Sequence, residues 1–203
     1  MEITGQLMKE IEVYYTALSS NIFLLSIMQM IMMWIILLVI GTVINLIATV
    51  FQRVLAIILG NKASFIICNY LTYPGTVHHE LSHALLATCS GAQVRKITLI
   101  PNENTLGRVD FRTRGGRILG AVQMVLASAA PIICGLCSLY AMMTFAYPLC
   151  TKAWHFIIWG YFFASILVHM TLSKKDINNI FRGMPICSII IYIILVIINM
   201  VNL

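Results

Sequence analysis

Polar and apolar positions divide this chain into long greasy runs with short charged breaks. No charged residue occurs between Glu12 and Arg53, a stretch longer than the roughly 20 apolar residues a bilayer crossing requires. A first span is expected near Ile27 to Ile47, with residues 1–20 as an N-terminal lead-in and a helical tail towards Leu59. Asn61-Lys62 breaks the run, and a second apolar segment, Ala63 to Tyr73, ends at Pro74-Gly75, a turn and helix-start signal. The helix starting there is expected to reach Ser90-Gly91, where glycine can cap it. It is short for a span unless the segment before Pro74 belongs to the same crossing. Further spans are expected at Ile118 to Leu149, interrupted by Pro131, at Trp154 to Leu172, and at Gly183 to Leu203.

Between residues 92 and 117 the period changes. Val94, Lys96 and Thr98 alternate with Arg95, Ile97 and Leu99, and Val109 and Phe111 alternate with Arg108, Asp110 and Arg112. Pro101-Asn102-Glu103-Asn104 supplies turn residues between them, so the stretch reads as a β-hairpin. The expected fold is therefore an all-α polytopic membrane protein of about five transmembrane helices, with a short β-hairpin after the Pro74 helix. Residues 1–203 should form a single integral membrane domain, with 92–117 as a cytoplasmic β-rich loop.

Composition agrees. The chain is 60% hydrophobic and only 10% charged, and its mean hydropathy is +0.93, whereas soluble domains are about a quarter charged. Its net charge of +6 does not point to nucleic acid, because the basic residues sit in the breaks between apolar runs. With a cytoplasmic N-terminus, ten Lys/Arg fall on that side (Lys9, six in 92–117, Lys174, Lys175 and Arg182) and three on the other (Arg53, Lys62, Lys152). Such a bias follows the positive-inside rule and places loops 92–117 and 173–183 in the cytoplasm. The opening Met1-Glu2-Ile3-Thr4 lacks the basic region of a signal peptide, so the N-terminus is expected to be retained. Six scattered cysteines, including a Cys134–Cys137 pair, suit small apolar side chains better than a disulfide framework.

Against this background His79-Glu80-Leu81-Ser82-His83 stands out. Residues four apart on a helix lie one turn apart on one face, so His79 and His83 can direct their imidazoles at one metal ion. Glu80 then reaches the open metal position and can act as general base on water. A carboxylate and three histidines (His78 precedes the motif) are costly in an apolar helix unless used. The competing reading is a polar helix tip at the membrane surface.

Two histidines do not complete a zinc site; a third protein ligand is needed. Glu2, Glu10 and Glu12 precede the first span, Glu103 and Asp110 lie in the basic hairpin, and His155 sits at the far end of its span. His169 and Asp176 remain, on the side to which the motif helix runs. If the fourth span continues, His169, Ser173 and Asp176 share a helical face. Asp176 is the preferred ligand, with His169 as a supporting or alternative one; the competing role for Asp176 is a helix cap or solvated loop carboxylate.

Motif, basic β-rich loop, Ala130-Pro131 in the next span and an Asp after a further span follow in this order over about Gly75 to Arg182. In this the chain resembles the site-2 protease family, the intramembrane zinc metallopeptidases of the M50 group. The resemblance implies one zinc held by His79, His83 and Asp176, with Glu80 as catalytic base, and a membrane protein or membrane-bound peptide as substrate. The chain departs from the family at its third ligand, which sits in Leu172-Ser173-Lys174-Lys175-Asp176-Ile177 rather than an Asn-Pro…Leu-Asp-Gly context. Cys134 stands where Asn is common after the Pro131 segment. The implied activity is a zinc-dependent endopeptidase acting within or next to the bilayer. The alternative is a non-hydrolytic zinc-binding regulator that captures a transmembrane partner.

Overall fold

The apolar run after Asn21 folds as one helix, α1 (Ile22–Leu59), which continues past Arg53 and is started by the Asn21 side chain, which accepts from the Leu24 amide at 3.2 Å. The computed structural model of the protein describes residues 21–99 and 107–202. The expected lead-in 1–20 and the turn Pro101-Asn102-Glu103-Asn104 lie outside these residues. After α1 come α2 (Asn61–Ile66), a wide helical turn over Ile67–Leu71, and α3 (Tyr73–Cys89), the motif helix. Strands β1 (Gln93–Thr98) and β2 (Arg108–Arg112) follow, then α4 (Gly116–Ala141), extended by helical turns to Leu149, α5 (Ala153–His169) and α6 (Lys174–Val201).

Three of these helices are long and apolar enough to cross a membrane: α1, α4 with its extension, and α6. The other two expected spans fold as helices of 17 residues each, α3 and α5. The described residues divide into two compact units, one of residues 21–37 with 185–202 and one of residues 38–99 with 107–184. In the first, the Trp34 indole donates to Ser188 at 3.0 Å, and the Asn199 amide donates to Ser26 and Gln29, both at 2.9 Å. Such bonds join helices where lipid offers no polar partner. The second unit contains the motif.

Glycine ends α3 as expected. Gly91 has φ +87, the Ala92 amide donates to the Ala87 carbonyl at 2.9 Å and the Gly91 amide to Thr88 at 2.9 Å, the paired bonds of a Schellman cap. The chain is thereby turned into β1, which pairs antiparallel with β2 from Gln93↔Arg112 to Thr98↔Arg108, with a bulge between Val94 and Lys96. Val94 and Phe111 pack on buried Ala87, Ala92 and Ala127, fixing the hairpin against α3 and α4. Gln123, wholly buried, accepts from the Arg114 amide at 2.8 Å and donates to the Ser90 carbonyl at 3.1 Å.

The end of α5 corrects the sequence reading. The expected loop 173–183 is not a loop: α6 begins at Lys174, nine residues before the expected Gly183. Nor does α5 continue through Asp176; it stops at His169. The reason is a capping box. The Ser173 amide and hydroxyl donate to Asp176 Oδ2 at 3.0 and 2.5 Å, and the Asp176 amide donates back to Ser173 Oγ at 3.2 Å. Lys174 and Lys175 therefore mark an exposed first turn, not a break.

Residues 170–173 still leave backbone groups without helical partners, and Asn45 of α1 supplies two. Its carboxamide donates to the Leu172 carbonyl at 3.2 Å and accepts from the Leu172 amide at 3.1 Å. Met170 and Leu172 are buried, so the break lies inside the bundle. Asn45→Ala should lower stability by about 1–2 kcal/mol, since it leaves a buried amide and carbonyl unpaired. The check is the thermal unfolding midpoint of the purified protein in detergent, and an unchanged midpoint would refute this role.

Candidate metal centre

His79 and His83 lie one turn apart on α3, and each has its Nδ1 bound to a carbonyl of another helix. His79 Nδ1 is 2.6 Å from the His169 carbonyl and His83 Nδ1 is 2.7 Å from the Ala127 carbonyl. A carbonyl can only accept, so each Nδ1 carries the proton and each Nε2 presents a lone pair. The two Nε2 atoms face each other at 3.1 Å. Two bare lone pairs at that distance repel unless a cation lies between them. Ligands of a tetrahedral zinc at 2.0–2.1 Å stand about 3.3–3.4 Å apart, close to the spacing here.

Asp176 completes the group. Its Oδ2 is 3.9 Å from His83 Nε2, and ligand atoms of His79, His83 and Asp176 all lie within 4.8 Å of one another. His83 and Asp176 are buried, and so is Glu80 beside them. These four residues line a cavity of about 140 Å³ with Gly107, Arg108, Val109 and Phe111 of the hairpin and Ser173, Lys175 and Asn179 of the α6 region. The donor set, two imidazoles with fixed tautomers and one carboxylate, fits a divalent transition metal.

The carbonyls that hold the imidazoles are free for identifiable reasons. In an α-helix the Ala127 carbonyl would accept from the amide of residue 131. Residue 131 is proline and has no N–H. Pro131 thus leaves the Ala127 carbonyl to His83. The His169 carbonyl is spare because α5 ends there and the Ser173 amide has turned to Asp176. Close approach of α3 and α5 brings it within reach. The Gly75 amide donates to Ser165 Oγ at 2.8 Å, and a Cβ on Gly75 would meet the Ser165 carbonyl and stand 2.6 Å from His169 Nδ1.

Glu80 does not belong to the converging ligand group. Its carboxylate is bounded by the chain entering β2: a Cβ on Gly107 would stand 2.6 Å from Glu80 Cγ and 2.9 Å from Oε1. A side chain at residue 107 would have to displace the Glu80 carboxylate.

The other candidates go elsewhere. The His169 ring turns back to its own helix, Nδ1 donating to the Ser165 carbonyl at 2.9 Å, so the residue meets the site through its backbone. His78 points to another face of α3, where its Nε2 is 2.9 Å from Ser138 Oγ. His155 accepts from the Thr151 and Lys152 amides at the start of α5, at 3.1 and 3.3 Å. Cys134 is half-buried and Cys137 exposed rather than buried, and both are free thiols.

Comparison of the chain with protein-family models, with curated proteins and with solved structures finds no match. The resemblance to site-2 proteases therefore rests on the motif and the order of its companions.

Two of the residues that shape the site carry a signal for that role in the sequence. Pro131 stands four residues after Ala127, and Ser173-x-x-Asp176 is a capping-box pattern ahead of an apolar run. Gly107 had no distinguishing signal. Pro131→Ala restores an amide that competes for the Ala127 carbonyl. It should weaken zinc binding by roughly tenfold, the size of lost support to a metal-bound histidine, while thermal stability holds or rises. Chelator competition measures the first and a melting curve the second; unchanged zinc affinity would show that the freed carbonyl does not set the site.

Proposed function

We propose that this protein is a zinc-dependent endopeptidase that cleaves a peptide bond within or next to the membrane, akin to the site-2 protease family. One observation carries the reading: two Nε2 lone pairs face each other at 3.1 Å, with Asp176 closing the group and Glu80 free beside it. His79, His83 and Asp176 would hold the zinc. Bound there, zinc supplies polarisation of a peptide carbonyl and a water made acidic towards neutral pH. Glu80 takes a proton from the attacking water and returns it to the leaving nitrogen. Gly107, by its closeness, holds the Glu80 carboxylate towards the cavity. Strand β2, whose residues Arg108, Val109 and Phe111 line that cavity, gives an unwound substrate segment backbone partners that a transmembrane helix lacks once it opens.

In this reading the chain crosses the bilayer about five times, the segment Asn61–Leu71 joining α3 in one crossing. The N-terminus, the hairpin and the start of α6 face the cytoplasm. Support comes from the bias of ten Lys/Arg against three, and from Lys175 Nζ lying 4.0 Å from Asp110 of β2, which puts hairpin and α6 start on one side.

Glu80→Gln should keep about one zinc per chain and the wild-type melting curve, yet lose at least a thousandfold in hydrolysis, as removal of an essential base does. His83→Ala should lose the metal itself. Elemental analysis of the purified protein and single-turnover cleavage of a membrane peptide check both. Cleavage by Glu80→Gln would refute the mechanism. A zinc-loaded wild type that binds but never cleaves would favour the partner-capturing regulator instead.

A further inference from the structure

Two cations line the metal cavity and take no part in the chemistry proposed for it. Arg108 opens β2 directly after Gly107, whose backbone bounds Glu80; Lys175 directly precedes Asp176 on α6. They stand on two different elements, and both reach one atom. Arg108 Nε is 2.9 Å and Lys175 Nζ 4.0 Å from Asp110 Oδ1. Their side chains are 60% and 61% exposed, and that of Asp110 is 39% exposed. Among the described residues, these two cations of the cavity lining thus share the partly exposed carboxylate of Asp110. Ion pairs this exposed are weak, so an incoming carboxylate can replace that of Asp110 with little loss.

Arg108 and Lys175 line the same cavity of about 140 Å³ as His79, Glu80, His83 and Asp176. A substrate held with its scissile carbonyl at the metal therefore carries its neighbouring side chains past Arg108 and Lys175. We infer that Arg108 and Lys175 form a carboxylate-recognition subsite, selecting substrates with an acidic side chain or a free C-terminus close to the cleaved bond. The inference rests on the peptidase reading and names the substrate class of that site.

The test separates the two. Zinc-loaded Glu80→Gln protein in detergent is titrated with fluorescent Leu/Ala peptides in which a single Glu, Gln or Lys is stepped along the sequence, each with a free or an amidated C-terminus. At one register the Glu peptide should bind about fivefold tighter than its Gln counterpart, the size of two partly exposed ion pairs. If the terminal carboxylate is the ligand, amidation and not the Glu position gives that change. The preference should vanish when Arg108→Gln and Lys175→Gln are added, grow with Asp110→Asn, and shrink as salt rises from about 50 to about 500 mM. Equal binding of all peptides, or a preference that survives neutralisation of both cations, overturns the subsite. Cleavage is then read with Glu80 present: peptides bound with the expected preference but never cut overturn the peptidase reading alone, and peptides cut without any preference overturn the subsite alone.

Discussion

A helix inside a membrane ordinarily has no backbone carbonyl to spare, because each accepts from the amide four residues further on and no water is present to stand in. The site depends on two exceptions. Pro131 deletes the amide that would occupy the Ala127 carbonyl, and the end of α5 leaves the His169 carbonyl without a helical donor. Each takes the Nδ1 proton of one histidine, so both imidazoles are held in the same tautomer with Nε2 turned inward. Helix defects, otherwise a liability in lipid, here become the supports of the candidate metal ligands.

The remaining architecture keeps those defects in register. Gly75 lets α3 lie against the backbone of α5 near Ser165, which delivers the His169 carbonyl to His79. Asn45 satisfies the backbone of Leu172 where the chain passes between α5 and α6. Ser173 and Asp176 cap α6 reciprocally, and the same carboxylate oxygen that accepts from Ser173 faces His83. Asp176 is therefore both cap and candidate ligand; the two roles that competed in the sequence coexist in one side chain.

Much of this was legible in the chain. The apolar runs marked the helices, Pro74 and Gly91 bounded the motif helix, and the change to a two-residue period gave the hairpin. The motif spacing named His79, Glu80 and His83, and elimination among few carboxylates led to Asp176. What escaped notice arises from contacts between distant segments or from charges with two meanings. Lys174-Lys175 read as a loop because charge interrupts an apolar run, although in a first helical turn it is equally at home. Nothing local marked Asn45 as the partner of Leu172, 127 residues away, or Gly107 as the wall behind Glu80, since such roles appear only when the elements pack. Two of the five expected spans fold as helices of only 17 residues, α3 and α5.

X-ray absorption at the zinc edge of the purified wild-type protein tests the account most directly. It predicts about one zinc per chain, a first shell of light N/O ligands at about 2.0–2.1 Å, and the outer-shell scattering of two imidazoles. A first shell containing sulfur at about 2.3 Å, or protein that retains no zinc while folded, would contradict it.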